Sequence, residues 1–176
     1  MLFNETKLPG VFVIDIEKLE DERGFFTTFW NNDIFKEHNL ELKLSECDIS
    51  FNKKKGTLRG LHYETHPYER EKLVRCTRGK IFDVVLDLRP TSPTFTQSIS
   101  TELSADNYKM NYIPKGCAHG FQTLEDNSEI LYLISHIYDS KSSQIVRWND
   151  DLFKINWPLS PTIMSKRDST CLDFLY

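Results

Sequence analysis

One short stretch of the chain, residues 57–78, contains side chains that could bind an anion and move a proton. Arg59 is a fixed cation, His62 can accept or donate a proton near neutral pH, and Lys72 supplies a second cation. The residues after Lys72 alternate between apolar and polar, as in a β-strand. A histidine between two cations on strand-forming sequence predicts a pocket for an anionic substrate, with proton transfer at its centre.

The overall composition restricts the class of protein that could carry this stretch. The 176 residues are enough for one domain with a substantial core, so we expect a single domain over residues 1–176. The net charge of −4 argues against a general nucleic-acid-binding protein, which needs a basic face. No apolar run approaches the ~20 residues that cross a bilayer, and the first residues do not resemble a signal peptide. We therefore expect a soluble, cytoplasmic protein without nucleic-acid or membrane partners.

The four cysteines follow no disulfide or metal-binding pattern. Cys47, Cys76, Cys117 and Cys171 lie far apart and form no C-x-x-C pair. We expect all four to be reduced thiols.

Short segments with β-forming sequence run along most of the chain and are separated by turn formers. The predicted strands are residues 11–16, 25–30, 45–51, 81–88, 94–103, 110–113 and 129–138. Short strands separated by turn signals about every 8–12 residues are typical of an all-β sandwich or barrel.

Two parts of the chain do not follow this strand pattern. Residues 32–40 predict a short helix that is capped by Asn32 or Asp33. The tail, residues 148–176, has many turn formers and little periodicity, so we expect it to wrap around the β-strands as loops and short helical pieces.

A second motif, P-K-G-C-A-H at residues 114–119, raises the question of a metal. This P-x-G-x-x-H pattern resembles the second motif of the cupin barrels, in which the histidine is a metal ligand. The first cupin motif would supply an H-x-H pair, whereas His62 is followed by Tyr63 and Glu64. Lys72 would also place a cation beside the metal. We therefore expect no metal site.

Several longer motifs, taken in order, make the chain similar to a known family. They cover residues 21–26 (DERGFF), 58–64 (LRGLHYE), 72–95, 112–124, 147–159 and 165–168 (SKRD). In this order they resemble the sugar-nucleotide 3,5-epimerases, the family of dTDP-4-dehydrorhamnose 3,5-epimerase. The resemblance implies an all-β, cupin-type jelly roll, a homodimer and an enzyme without a cofactor.

The resemblance also implies a reaction. The family inverts carbons 3 and 5 of a 4-keto-6-deoxy sugar that is attached to a nucleoside diphosphate, here most simply dTDP-4-dehydro-6-deoxyglucose. The 4-keto group acidifies the neighbouring C–H bonds, so a base can remove a proton to give an enolate. Reprotonation from the opposite face then inverts the centre. Such a site needs a base, an acid on the other side and a cation near the enolate oxygen.

The motif matches assign catalytic roles to four residues. His62 matches the base, and Asp168 matches the carboxylate that binds and orients it. Tyr132 matches the acid, and Lys72 matches the lysine that stabilises the enolate. None of these roles follows from composition or spacing alone.

Further matches concern substrate binding. Arg59 matches a diphosphate-binding residue, His119 a residue of the pocket wall, and Tyr138 an aromatic that stacks near the nucleotide base. Arg23 matches an arginine that reaches the partner subunit's site across the dimer. Lys166, within the SKRD motif, is also expected to contact the substrate.

Four parts of the sequence depart from the usual family pattern. Glu64 stands where Gln is common, and Glu46 and Asp48 stand where a Gln-x-Asn motif contacts nucleotide and sugar. Leu133 replaces a Lys, and Cys117 replaces a Phe. Acids in place of amides change the hydrogen-bond donors at the base. A CDP- or GDP-linked hexose or heptose, or inversion of a single centre, is therefore the alternative to the dTDP-linked substrate.

Three further functions are compatible with this kind of barrel. A 4-keto sugar ketoisomerase would use the same base but move the carbonyl. A metal-dependent cupin oxygenase would need a bound transition metal. A non-catalytic sugar-binding protein would need no acid opposite His62, so Tyr132 argues against it.

Overall fold

The computed structural model describes residues 1–40 and 42–175, and most of its regular structure is β-strand. Within these residues the strands form one sheet of six, one sheet of five and a separate pair. In chain order the elements are β1 (Leu2–Glu5), β2 (Phe12–Asp15), β3 (Leu19–Asp21), β4 (Gly24–Phe26), α1 (Asn32–Glu37), β5 (Glu46–Asn52), β6 (Leu58–Glu64), β7 (Lys72–Arg78), β8 (Lys80–Asp87), β9 (Ser98–Ser104), β10 (Met110–Ile113), β11 (Cys117–Thr123), β12 (Ser128–Ile134), β13 (Ser143–Ile145) and α2 (Lys166–Ser169).

The two large sheets are antiparallel, and from β5 to β13 each strand lies in the other sheet from the one before it, except that β8 and β9 are neighbours in one sheet. The six-stranded sheet has the order β1-β2-β10-β7-β12-β5, and the five-stranded sheet has the order β13-β6-β11-β8-β9. Consecutive strands such as β6 and β7 therefore belong to different sheets. This arrangement confirms the predicted all-β sandwich, and it brings residues that are close in sequence to opposite walls of the molecule.

Apolar side chains from both sheets form the central core. Val74 and Ile130 of the six-stranded sheet cluster with Val85 and Phe121 of the five-stranded sheet, and all four are almost completely buried. Each such side chain stabilises the fold by roughly 1.5–3 kcal/mol relative to exposure. This core holds the two sheets in a fixed relation on either side of the pocket described below.

The tail covers the outer face of the five-stranded sheet. Val84 and Leu86 of β8 point away from the central core and join a second cluster that includes Phe153 and, at its edge, Trp157. Because both faces of β8 are covered, its sequence is a nearly continuous apolar run. The wrapping tail predicted from the sequence is confirmed, and it carries the short helix α2.

Several predicted boundaries were wrong for local reasons. The predicted strand 25–30 ends at Phe26, and the helix that follows is capped by Asn31, whose side chain accepts hydrogen bonds from two backbone N–H groups of the first turn. The helix ends at Glu37 instead of residue 40, because Asn39 adopts a left-handed conformation with φ of 59°. The predicted strand 94–103 begins only at Ser98, since Thr94 binds Asp87 through its side chain. All four cysteines are free, as predicted.

Two glycines let β6 and β11 approach each other closely beside the pocket. Gly60 has a φ of +119°, and a Cβ there would lie 2.6 Å from the Cα of Gly120 and 2.8 Å from the carbonyl oxygen of His119. A Cβ at Gly120 would in turn lie 2.7 Å from the carbonyl oxygen of Arg59. The contact fixes the backbone on which Arg59, His62 and His119 are placed.

We expect Gly60→Ala to lower the free energy of unfolding by about 2–5 kcal/mol, through left-handed strain and the backbone overlap. Thermal denaturation should show a decrease in Tm of at least about 5 °C. Gly10→Ala is the matched control, because Gly10 also has a positive φ of +78° but the nearest atoms to its Cβ would be 3.8 Å away. Equal decreases in Tm for the two variants would contradict the close-contact explanation.

Candidate active site

A pocket of about 430 Å³ is lined by residues of both large sheets and of the tail. From the five-stranded sheet it receives Arg59, His62, Glu64 and His119, and from the six-stranded sheet it receives Asp48, Lys72 and Tyr132. The loop after β12 adds Tyr138, and α2 adds Arg167. The structure thus brings eight of the residues singled out from the sequence to one pocket between the two sheets: the seven on strands and Tyr138.

His62 and Asp168 form a hydrogen-bonded pair that links β6 to α2. The distance from His62 Nε2 to Asp168 Oδ1 is 2.7 Å, although the residues are 106 positions apart. Burial by itself would raise the pKa of Asp168, but the hydrogen bond and charge interaction with His62, and a bond from Ser165, outweigh it and lower the pKa. When an ionised Asp168 accepts a hydrogen bond from Nε2–H, Nδ1 is the unprotonated nitrogen of a neutral ring.

Lys72 enters the pocket from the opposite sheet. It begins β7, its side chain is 8% exposed, and its Nζ lies 3.3 Å from Glu64 Oε2. Burial lowers the pKa of Lys72, whereas the charge of Glu64 raises it and that of Arg70 lowers it. The pocket therefore contains a buried amine whose charge depends on its ionic neighbours.

Tyr132 lies on β12, in the same sheet as Lys72 and opposite the sheet that carries His62. Its ring meets the ring of His119 edge-on, with 6.1 Å between centroids. Burial, together with the negative charge of Asp83, raises the pKa of Tyr132 well above the ordinary value. The phenol accordingly remains protonated at neutral and moderately alkaline pH, as a proton donor must.

His119 is directly opposite His62 in the pairing of β11 with β6, and buried polar side chains fix its ring. Its Nε2 lies 2.7 Å from Asp83 Oδ1, and Asn111 donates to Asp83 Oδ2, also at 2.7 Å. The sequence reasoning missed Asp83 and Asn111. The sequence did contain a sign of this group: Asp83 interrupts the apolar run of β8, and a fully buried carboxylate requires hydrogen-bond partners.

Arg59 and Arg167 present guanidinium groups to the pocket without using them in ion pairs among the described residues. Arg59 Nε donates to the Asn52 side-chain oxygen at 2.7 Å, and Arg167 Nη2 donates to the Ser143 carbonyl at 2.7 Å. A guanidinium that is not already paired with a carboxylate suits a phosphate-binding role. Arg167 had not been identified from the sequence, although it lies inside the SKRD motif.

The three acids that depart from the family pattern occupy different positions. Asp48 lines the pocket. Glu64 also lines it, but its two oxygens bind Arg70 and Lys72. Glu46 is absent from the lining and contacts Arg70 and the backbone N–H of Tyr138.

Besides Glu46, two predicted binding residues lie outside the lining of this pocket in the single chain. Arg23 is in the turn between β3 and β4, where its side chain is 89% exposed and forms an ion pair with Asp21. Lys166 begins α2, next to Arg167. In the part of the chain that the structure describes, no three His, Cys, Asp or Glu side chains converge to hold a metal ion. None of the described helices is long and apolar enough to span a membrane.

Comparison with known families matches residues 5–175 to dTDP-4-dehydrorhamnose 3,5-epimerase. The chain belongs to this family. The dTDP-4-dehydrorhamnose 3,5-epimerase of Shigella flexneri is 38% identical over 165 residues, which cover 93% of this chain and 91% of that protein. The family membership confirms the predicted enzyme class, an epimerase acting on carbohydrates.

Solved structures of other members agree with the fold of this epimerase. The enzyme of Bacillus anthracis, solved with TDP and PPi bound, superposes with a TM-score of 0.95 at 33% identity and covers 98% of this chain and 99% of that one. The dTDP-6-deoxy-D-glucose-3,5-epimerase of Legionella pneumophila, in complex with dTDP-4-keto-L-rhamnose, has a TM-score of 0.90 at 32% identity and covers 96% and 89% of the two chains. The predicted cupin-type jelly roll is thereby confirmed.

Proposed function

We propose that this epimerase inverts carbons 3 and 5 of dTDP-4-dehydro-6-deoxyglucose, in deoxysugar synthesis for a surface polysaccharide. The observation that carries the proposal is the placement of His62 and Tyr132 on opposite sheets of one pocket, with Lys72 beside them. Inversion requires a base and an acid on opposite faces of the sugar, and a sandwich whose two sheets both face the pocket supplies them. The cytoplasmic location stays a prediction from the sequence.

Each inversion begins with proton removal by His62. The C–H electron pair moves toward the 4-keto oxygen and forms an enolate, and the proton passes to Nδ1 of His62. Asp168 holds the ring and balances the imidazolium charge that forms. The Lys72 ammonium stabilises the negative oxygen, in a site where burial strengthens the interaction.

The inversion is completed from the other sheet. Tyr132 donates its phenolic proton to the opposite face of the same carbon, and the enolate electrons return to form the new C–H bond. Exchange with solvent then restores the proton on Tyr132 and removes the one on His62. Because carbons 3 and 5 both lie next to the carbonyl, the same groups can serve both centres after a shift of the sugar.

The nucleoside diphosphate occupies the basic part of the pocket in this proposal. Arg59 and Arg167 bind the diphosphate, and Tyr138, whose ring is half exposed, stacks on the base. Relatives solved with TDP and with dTDP-4-keto-L-rhamnose support a thymidine nucleotide. A CDP-linked substrate is the second candidate, because the Asp48 carboxylate in the pocket could accept a hydrogen bond from the cytosine amino group.

The test is a panel of dTDP-, CDP- and GDP-linked 4-keto-6-deoxy sugars in deuterated buffer, followed by NMR. We expect deuterium to enter carbons 3 and 5 of the dTDP sugar, with the carbonyl still at carbon 4. Faster exchange of the CDP sugar would favour the second candidate. A shifted carbonyl would indicate a ketoisomerase, and no exchange in any substrate would refute the proposal.

The active form in this proposal is a homodimer in which Arg23 completes the partner subunit's site. The exposed position of Arg23 on the separate β3–β4 pair supports such a reach, as do the exposed apolar side chains of Leu19 and Phe26 on the same pair. An exposed apolar patch commonly marks a contact with another chain.

Mixed dimers test this arrangement directly. Co-refolding Arg23→Ala chains with His62→Ala chains should restore activity to about a quarter of the wild-type value, since half of the dimers are mixed and each mixed dimer has one intact site. Each variant refolded alone is the control and should remain well below that value. Absence of restoration would mean that Arg23 does not act across a dimer.

A further inference from the structure

Glu64, the acid that departs from the family pattern, is shared between two cations. Its Oε1 lies 2.5 Å from Arg70 Nη2, and its Oε2 lies 3.3 Å from Lys72 Nζ. The three side chains are 4%, 9% and 8% exposed, and all three line the pocket. Each oxygen of the carboxylate therefore has its own cation.

Arg70 is fixed by further contacts. Its Nη1 lies 3.2 Å from Glu46 Oε2 on β5, and its guanidinium lies 5.5 Å from the centre of the Tyr138 ring. Glu46 also accepts the backbone N–H of Tyr138 at 3.1 Å. The two unusual acids thus converge on one arginine, which connects the Tyr138 loop to the pocket wall.

A buried lysine that must stabilise an enolate is subject to two opposing requirements. Without an anionic neighbour, desolvation favours the neutral amine, which stabilises the enolate poorly. With a carboxylate entirely to itself, the ammonium is neutralised and has little attraction left for the substrate oxygen. A carboxylate shared with a second cation meets both requirements, because only part of its charge then acts on Lys72.

We propose that Glu64 and Arg70 are positioning residues for Lys72: Glu64 keeps the amine charged and directed into the pocket, and Arg70 draws enough of the Glu64 charge away to leave Lys72 available to the enolate oxygen. The catalytic consequence rests on the proposed function, in which Lys72 faces that oxygen.

The charges around Lys72 agree with this division of roles. Burial has the largest effect and lowers the pKa of Lys72; the charge of Glu64 raises it against burial, and the charge of Arg70 lowers it further. Burial would raise the pKa of Glu64, but Lys72 and Arg70 together lower it, so the carboxylate is ionised at neutral pH. The neighbours that pair with Lys72 on β10 and β12 are the uncharged Ile113 and Ile134.

Other titratable groups reach the pocket from both sheets. They are Arg59, His62 and His119 on the five-stranded sheet, and Asp48 and Tyr132 on the six-stranded sheet; Tyr138 on the loop after β12 and Arg167 on α2 complete the set. Among the described residues the ion-pair partner of Lys72 is Glu64 and none of these groups. Because the pKa of Tyr132 is strongly raised, its phenol should stay protonated while Lys72 titrates.

Glu64→Gln and Arg70→Gln should shift the pH dependence in opposite directions. In Glu64→Gln the amine loses its anionic partner, so the rate of exchange at pH 9 relative to pH 7 should fall about tenfold below the wild-type ratio. In Arg70→Gln the whole Glu64 charge acts on Lys72, so the decline in rate should begin at higher pH. The rate at pH 7 should nevertheless be lower, because Lys72 is then more fully neutralised.

The charge of Lys72 can also be measured without substrate. In protein labelled with ¹³C at lysine Cε, the Lys72 signal is assigned by its loss in Lys72→Arg and is titrated in each variant. We expect its titration midpoint to move down in Glu64→Gln and up in Arg70→Gln. Glu102→Gln is the matched control, because it removes the exposed Glu102–Lys80 pair and should leave the midpoint unchanged.

Midpoints that move in the same direction, or that stay at the wild-type value in either variant, would overturn the proposal. If one variant does not fold, the direction in which the Lys72 midpoint moves in the other variant still tests the proposal. A wild-type protein that exchanges no sugar would refute the proposed function, whereas the Lys72 titration would still test the control of its charge by Glu64 and Arg70.

Discussion

Replacing His62 by alanine is expected to reduce deuterium incorporation at carbons 3 and 5 by roughly a thousandfold or more, the scale of effect of a positioned general base. The substitution removes the ring nitrogen that accepts the proton, together with the hydrogen bond between His62 and Asp168. The substitution does not change Lys72 and Tyr132, which belong to the other sheet. The measurement is the rate of loss of the two sugar proton signals in deuterated buffer.

The control for this prediction is His66→Ala. His66 lies just after the end of β6, where its side chain is 87% exposed and its ion-pair partner is Glu69, so exchange should match the wild type. Calorimetric titration with dTDP should show that His62→Ala still binds the nucleotide, which separates a lost base from a lost pocket. Wild-type exchange rates in His62→Ala would refute the role of His62 as the base.

The fold was predictable to the extent that local pattern determines it. Most of the β-rich segments and the unpatterned tail were predicted from the sequence, whereas boundaries set by side-chain contacts, such as the start of β9 at Ser98, were not. The order of strands within each sheet was not readable, because β6 pairs with β11 and β13, far along the chain. Local propensity says nothing about such pairing, which depends on how the two sheets pack around the shared core.

The candidate site shows the same division between local and distant information. Arg59, His62 and Lys72 attracted attention because they lie within one short stretch, whereas their link to Asp168 rested on family resemblance. Glu64 was interpreted as a change at the substrate, but both of its oxygens bind cations of the protein. Arg70 was missed, since a charged residue in the run Glu-Arg-Glu-Lys has no pattern that distinguishes a buried ion pair from a solvated loop.

The second large effect is expected for Tyr132→Phe, which should separate proton removal from inversion. Exchange into the sugar should stay within a few-fold of the wild-type rate, whereas formation of the inverted product should fall by about 10²–10⁴-fold. His62 can still remove the proton and, after exchanging with solvent, return a deuteron to the face from which it came. The missing phenol leaves the opposite face without a donor, so deuterium enters with retention of configuration.

The substitution is conservative, because the phenylalanine ring can keep the edge-on contact with His119. Tyr63→Phe is the matched control: it removes the same hydroxyl from a residue adjacent to His62 that packs against the cluster on the outer face of the sheet, so both rates should be unaffected. The configuration of the deuterated sugar is read from its proton coupling constants. If exchange fell in parallel with product formation, Tyr132 would act in proton removal or enolate stabilisation, and the acid on the six-stranded sheet would have to be another group.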